Sequence, residues 1–214
     1  MFRKEEDKIF AGQLFSPKAA ELKAIKLKTH NLCTVYNQTL EDQEVQRKEI
    51  IDEIFGSVGE GGFFQGPIYI HYGKHTQIGK RFFGNFNLII QDDARVIIGD
   101  HCSFGPNVTI VTPVHPMLPD ERRQMINESG EITYLCYAKS VTIGNDCWFG
   151  ANVVICPGVT VGDNCVIGAG SVVVKDIPAD SFAAGNPCQV IRRITSEDSM
   201  VYKPDILGEN QVMD

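Results

Sequence analysis

Tryptophan occurs once in the 214 residues, acidic side chains outnumber basic ones, and no apolar run approaches the length needed to cross a bilayer. Lys and Arg total 20 against 27 Asp and Glu, a net charge of -7, which argues against a nucleic-acid surface. An anionic ligand would need a local cluster of Lys and Arg. No two of the 7 cysteines have Cys-x-x-Cys spacing, and their number is odd. Reduced, structural thiols in a reducing compartment are therefore the expectation. The opening residues, Met1-Phe-Arg-Lys-Glu-Glu-Asp, hold no apolar core of a secretory signal, so a cytoplasmic location without membrane attachment is expected.

What the chain does have is a period. From Ile143 to Pro178 it repeats every six residues: Ile143-Gly-Asn-Asp-Cys-Trp, Phe149-Gly-Ala-Asn-Val-Val, Ile155-Cys-Pro-Gly-Val-Thr, Val161-Gly-Asp-Asn-Cys-Val, Ile167-Gly-Ala-Gly-Ser-Val, Val173-Val-Lys-Asp-Ile-Pro. Every first position is aliphatic or Phe, and the fifth is small or aliphatic: Cys147, Val153, Val159, Cys165, Ser171, Ile177. Neither a helix nor a lone strand has that period. Short strands joined by tight turns do, in a parallel β-helix whose stacked coils share one core. Cys102, Cys147 and Cys165 all take the inward fifth position, where a small apolar residue fits.

The repeat divides the chain. Residues 1–56 are rich in Lys, Glu, Ala and Leu and predict two or three short helices, with Val45, Ile50, Ile51, Ile54 and Phe55 on one face. That segment is expected to cap one end of the solenoid. Residues 57–195 predict the β-helix. Its early hexads start at Ile78, Gly84 and Ile90, then restart two residues late at Ile98 and Phe104. The slip lies beside Asp92 and Asp93, and predicts a carboxylate on a turn that bulges outward. Hexads stop over the loop 111–140, an interruption long enough to read as functional. Residues 183–194 read as a turn and a final strand. The polar tail 196–214 is expected to be without structure.

His115 is the leading chemical candidate. Pro113 and Pro116 restrict its backbone, and an imidazole is suited to take a proton from a hydroxyl near pH 7. The competing reading is an ordinary loop histidine. Asn85 and Asp93 lie on coils beneath that loop and could bind a hydroxyl, though both are also common turn residues. Lys175, Arg192 and Arg193 form a basic set able to hold phosphates. Trp148, at an outward position, suits contact with a ligand or a neighbouring subunit. His71 and His75 lie in the first irregular coil and are expected to be solvated, His30 on a helix and His101 at a polar turn.

The hexads, the His115-Pro116 loop, the run from Val161 to Pro178 and Ala184-Gly-Asn-Pro-Cys-Gln-Val-Ile-Arg resemble the hexapeptide acyltransferases. With the helical front and Gly84-Asn-Phe-Asn, the chain most resembles the maltose and galactoside O-acetyltransferase branch. The resemblance implies a left-handed parallel β-helix, an exception to the right-handed crossover rule, assembled as a homotrimer. It implies acetyl-CoA as co-substrate, held in a groove between subunits, and no metal. It further implies that His115 deprotonates a sugar hydroxyl of galactoside, maltose or glucose type, which attacks the thioester directly. The turn at Gly150-Ala151 would supply N–H groups to the oxyanion. Asn85 and Asp93 match acceptor-binding positions; Ala151, Ala169, Val174, Lys175 and Arg192 match positions along the CoA groove. Several residues depart from the pattern: Pro17 stands in place of an acceptor-binding Asp, Lys26 of an Arg, Phe83 of a Tyr and Gln189 of a CoA-contacting Arg. Cys136 falls near the place of a carboxylate that orients the histidine, a role open to Glu128 or Glu131.

Two other readings stay open. A xenobiotic O-acetyltransferase acting on an antibiotic hydroxyl shares the solenoid and the loop histidine, but usually lacks the helical front. A non-catalytic β-helical binding or scaffold protein would have no use for His115 or the basic set. A γ-type carbonic anhydrase would need three converging histidines, for which His71, His75 and His101 have unsuitable spacing.

Overall fold

The computed structural model describes residues 4–127 and 130–212. Short strands stack into three faces of a left-handed parallel β-helix, the architecture expected from the hexads. The first face holds Ser57–Val58, Thr76–Ile78, Val96–Ile98, Val141–Ile143 and Thr160–Val161, and a bridge from Val161 to Ile177 extends it. The second holds Phe63–Phe64, Phe83–Gly84, Ser103–Phe104, Trp148–Phe149, Val166–Ile167 and Ser181–Ala184. The third holds Ile68–Ile70, Leu88–Gln91, Thr109–Val111, Val154–Ile155 and Val172–Val173. All of these neighbours pair in parallel, so six coils are stacked.

Period and packing agree. The first hexad positions and the fifth positions Cys147, Val153, Val159, Cys165, Ser171 and Ile177 are all buried, while Trp148 points outward. Phe82, Phe104 and Phe149 form an edge-to-face column through the core, with centroids 5.0 and 4.8 Å apart. The turns between second and third faces use Asn87, Asn107 and Asn152 in left-handed backbone, at φ 57, 61 and 60. Their amides form a ladder: Asn87 Nδ2 donates to Asn107 Oδ1, and Asn107 Nδ2 to Asn152 Oδ1, each at 2.9 Å.

An exposed first coil would leave an open sheet edge. Helices α1 (Glu5–Phe10), α2 (Ala20–Asn37) and α3 (Glu44–Ile54) deal with it. The carbonyl of Phe64 accepts from Tyr36 Oη at 2.5 Å and Arg47 at 2.6 Å, Gln65 O accepts from Arg47, and Asn37 brackets Ile68 through its N–H and C=O. Cys33, Tyr36, Ile50, Ile51, Ile54 and Phe55 continue the solenoid core into this cap. Val45, expected on the same face, is instead 75% exposed, because α3 has turned it away from the first coil by its second residue. At the far end, Gln189–Arg193 pairs antiparallel with Ser181–Ala184. The tail, expected to be unstructured, has two 3-10 turns, Ser196–Asp198 and Met200–Tyr202, and a helical turn at Pro204–Leu207.

All irregularity gathers at one corner, where the third face hands over to the first. Partners in successive coils are 18 residues apart where the repeat is regular (Ile143↔Val161) and 20 where it is not (Val58↔Ile78, Ile78↔Ile98). Each two-residue excess lies at this corner, at 71–75 and 91–95. The loop 111–140 leaves from the same corner of the third coil. Register survives it, since Ile98 pairs with Ile143 and Ile110 with Ile155. The loop carries two antiparallel pairings: Pro113–Val114 pairs with Tyr137–Ala138, and Met125–Ile126 with Ile132–Thr133. A second core of Ile9, Phe15, Leu22, Tyr72, Ala94, Cys136 and Ala138 ties α1, α2, both bulges and the returning loop together.

Phe104→Ala removes the middle ring of the aromatic column and is expected to lower the unfolding free energy by about 3–5 kcal/mol. Denaturant titration followed by circular dichroism measures it, and a loss below about 1 kcal/mol would mean the column is not close-packed.

Candidate functional site

The irregular corner is where titratable side chains meet. Asp92 and Asp93 occupy the second bulge, beneath the loop that carries His115. The sequence predicted a carboxylate on a turn that bulges outward. The turn does leave the coil, but α1 and α2 cover it, so Asp92 is 0% and Asp93 2% exposed. Asp92 is fully engaged: it accepts from Tyr72 N–H at 2.7 Å and Thr76 Oγ1 at 2.8 Å. Asp93 Oδ2 is buried with no hydrogen-bond partner among the described residues. Burial first, and then the neighbouring Asp92, push the Asp93 carboxyl up to about 6, partly offset by Lys26. The nearby Tyr72 hydroxyl is likewise buried and unpartnered. Two orphaned polar atoms at one place are costly for a fold and point to a ligand hydroxyl.

His115 follows the strand Pro113–Val114 and is exposed, with Pro116 buried behind it. Its ring lies 5.5 Å from that of Tyr134. Burial, then Cys136 and Asp93, raise the Tyr134 phenol. Lys26 completes the setting: its Nζ donates to Pro17 O at 2.7 Å, and burial lowers its pKa against the pull of Asp93. Neither Glu131 nor Cys136 hydrogen-bonds His115 among the described residues. Glu131 N–H donates to Asn127 Oδ1, and Glu128 lies outside the described residues. Cys136 is buried against Phe15, and burial pushes its thiol up to about 12.

The other predicted site residues stand elsewhere in the same chain. Asn85 is half-buried at the opposite edge of the third face, where its Oδ1 accepts from Phe86 N–H at 2.8 Å. Ala151 and Ala169 lie at that same edge, two and three coils further on, and among the described residues neither donates its N–H. Val174 and Lys175 are exposed at the irregular corner's column on the fifth coil. Arg192, on the last strand, forks onto Asp198 at 2.8 and 2.6 Å, and Arg193 reaches Asp180 at 3.1 Å. Within one chain His115 and Asp93 thus lie at the irregular corner, and Asn85, Ala151 and Ala169 at the opposite edge of the third face.

The histidines expected to be solvated are not. His75 is 5% exposed, and His71 is half-buried with Nδ1 3.3 Å from His30 Nε2. Burial, then Lys26, pull His71 down to about 4. Both were misread because α1 and α2 fold over the first bulge, a long-range event. The same two-residue slip between Ile70 and Ile78 that marks Asp93's bulge was the available signal. No three metal-ligating side chains converge among the described residues, and no helix there is long and apolar enough to cross a membrane.

Comparison with known proteins agrees with this architecture. Residues 140–175 match the family model described as bacterial transferase hexapeptide (six repeats), residues 95–115 the hexapeptide repeat of succinyl-transferase, and residues 8–59 the maltose acetyltransferase hexapeptide capping motif. The galactoside O-acetyltransferase of Escherichia coli K12 is 41% identical over 206 residues, covering 96% of this chain and 97% of that protein. Among solved structures, a galactoside acetyltransferase in complex with coenzyme A superposes with a TM-score of 0.84 at 38% identity, covering 100% of both chains. A maltose O-acetyltransferase from Clostridium difficile 630 gives 0.83 at 37%, covering 91% of this chain and 99% of that one.

Asp93→Asn tests the strained carboxylate. A folded-state pKa raised from 3.8 to about 6 means that the ionised form is penalised on folding, so the cost is absent below pH 3.8 and complete above about 6. The variant should therefore be more stable than the parent at pH 7.5, by up to about 3 kcal/mol, and equal to it below pH 4. Melting curves across pH read this directly, and a less stable variant at pH 7.5 would show that Asp93 is a satisfied structural group.

Proposed function

The chain belongs to the hexapeptide-repeat acetyltransferases that carry the maltose-acetyltransferase cap, and from that membership we propose that it transfers the acetyl group of acetyl-CoA to a hydroxyl of a sugar of galactoside, maltose or glucose type. The observation that carries the reading is the buried, unpartnered carboxylate of Asp93 at the corner that also presents His115. A sugar hydroxyl donates to such an oxygen and, once bound, removes its desolvation cost.

His115 is the general base. Its imidazole takes the proton of the acceptor hydroxyl as the oxygen attacks the thioester carbonyl. The resulting oxyanion is met by main-chain N–H groups at the Gly150-Ala151 turn, where the Ala151 N–H has no partner among the described residues. Collapse breaks the C–S bond, and the departing CoA thiolate recovers the proton from His115. No enzyme nucleophile enters, which suits thiols that are mostly buried in the core. Ala169, Val174, Lys175 and Arg192 line the CoA groove; Asn85 and Asp93 hold the acceptor.

The split placement of these residues makes a second copy part of the site. Asn85, Ala151 and Ala169 occupy one edge of the third face and His115 and Asp93 the other. A neighbour must therefore bring its first edge to this chain's second. Three copies related in that head-to-tail way close a ring, so the working form is a homotrimer in the cytoplasm, where the cysteines stay reduced. The matched capping segment, residues 8–59, speaks against the xenobiotic branch.

Thiol release from acetyl-CoA over a panel of galactosides, maltose, glucose, serine and chloramphenicol is expected to occur with a sugar. Activity on none of them would favour the scaffold reading. His115→Ala should lose at least about a hundredfold in turnover while eluting as the same oligomer, and near-normal turnover would remove His115 from the role of base.

A further inference from the structure

We infer that His75 is a positioning residue for acceptor recognition: it locks the bulge that carries Asp93 and ties that bulge to helix α1 through Glu6. The inference rests on the reading of Asp93 as an acceptor-binding residue.

The second bulge lies outside the β ladder, so its backbone must be fixed by other means. Thr112 Oγ1 holds its far side, accepting from Ala94 N–H at 3.0 Å and donating to Gln91 O at 2.8 Å. The Asp92 carboxylate pins it to the first bulge through Tyr72 and Thr76. The carbonyls of Asp92 and Asp93 both lie 2.9 Å from His75 Nδ1. Carbonyls only accept, so Nδ1 carries a proton and donates to the pair. His75 therefore grips the peptide units on either side of the Asp93 nitrogen and carbonyl, and with them the direction of its side chain.

The ring has no freedom to relax. Its side chain is 2% exposed, it stacks on Tyr72 with centroids 4.8 Å apart at 17°, and Phe10 of α1 meets it edge-on at 4.9 Å. Nε2 lies 2.9 Å from Glu6 Oε1, and the same oxygen takes Lys74 Nζ at 2.5 Å. Arg95, at the end of the second bulge, sits over the Phe10 ring at 4.9 Å. Helix α1 is thus a strap across both bulges, anchored by Glu6 and Phe10. Among the described residues, none of the proposed CoA-groove residues Ala151, Ala169, Val174, Lys175 and Arg192 hydrogen-bonds or stacks on this assembly, so its loss should be felt by the acceptor and not by acetyl-CoA.

The test is steady-state kinetics of the full chain with a galactoside and maltose as acceptors. His75→Ala should raise acceptor KM by about tenfold, the scale of a small misplacement of a binding group, with acetyl-CoA KM and kcat within about threefold of the parent. His75→Asn keeps a donor in the place of Nδ1 and should restore acceptor KM to within about threefold of the parent. Glu6→Ala, which loosens only the strap, should raise acceptor KM without moving acetyl-CoA KM, and it decides the matter if His75→Ala does not fold. An unchanged acceptor KM, an Asn variant no better than Ala, or a parallel change in both KM values and kcat would overturn the inference. Asp93→Asn run alongside separates the two readings. If it leaves acceptor KM unchanged, the role of Asp93 itself fails; if it raises KM while His75 and Glu6 variants do not, only the positioning role fails.

Discussion

The parallel ladder imposes one constraint on which the rest of the molecule depends: each coil must present its inward residue directly over that of the coil before it. Ile98 over Ile143 and Phe104 over Phe149 show how strictly this holds, since an excursion of some thirty residues between them leaves the register intact. A ladder of this kind tolerates extra chain only at its corners, and this protein uses one corner three times. Two residues are added in the first coil and two in the second, and a whole loop in the third. The proposed site is placed there because backbone freed from the ladder can aim side chains that the hexad would otherwise bury or expose by rule.

The freed backbone brings a cost. Peptide groups in a bulge have no ladder partners, and the protein answers with buried side chains that act as substitutes: Thr112, Asp92 and His75 each accept or donate where a strand would have done so. Helix α1 and the chain leading to α2 then seal the arrangement with the core of Ile9, Phe15 and Leu22. Burial on this scale makes every unpaired polar atom expensive, so the unpartnered Asp93 oxygen stands out against a surrounding in which nearly everything else is satisfied.

The fold was legible because its determinants are local and repeated. A six-residue period needs only short strands, tight turns and small inward side chains, and residues 143–178 supply all three; the cysteines resolve as packing by the same reading. The prolines single out His115, and the slip in the period Asp93, as candidates. What sequence could not give was cover. Whether His75 is solvated or buried depends on Glu6 and Phe10, some seventy residues away, and no pattern within the first coil records that helix α1 returns to it. Val45 fails for the converse reason: its helical face was read correctly as amphipathic, but how far that face extends is set by where α3 meets the coil.

The same corner bears on which sugar is accepted. Members of the branch that this chain resembles carry an acceptor-binding Asp where Pro17 stands. Proline offers only its carbonyl, and here that carbonyl is taken by Lys26 at 2.7 Å. One acceptor carboxylate is thereby replaced by a neutral, already occupied oxygen, while a cation is held beside Asp93. Lys26 stands where the branch pattern has an Arg, so a cation is kept at that position with fewer donors, and what the exchange removes is the carboxylate acceptor. A hydroxyl that donates at that position loses its partner. On the proposed mechanism, transfer at His115 is indifferent to this exchange, because it acts on a single hydroxyl. On the proposed reading, the exchange removes one carboxylate from the acceptor site and leaves Asp93 as the chief acceptor for the sugar's hydroxyls.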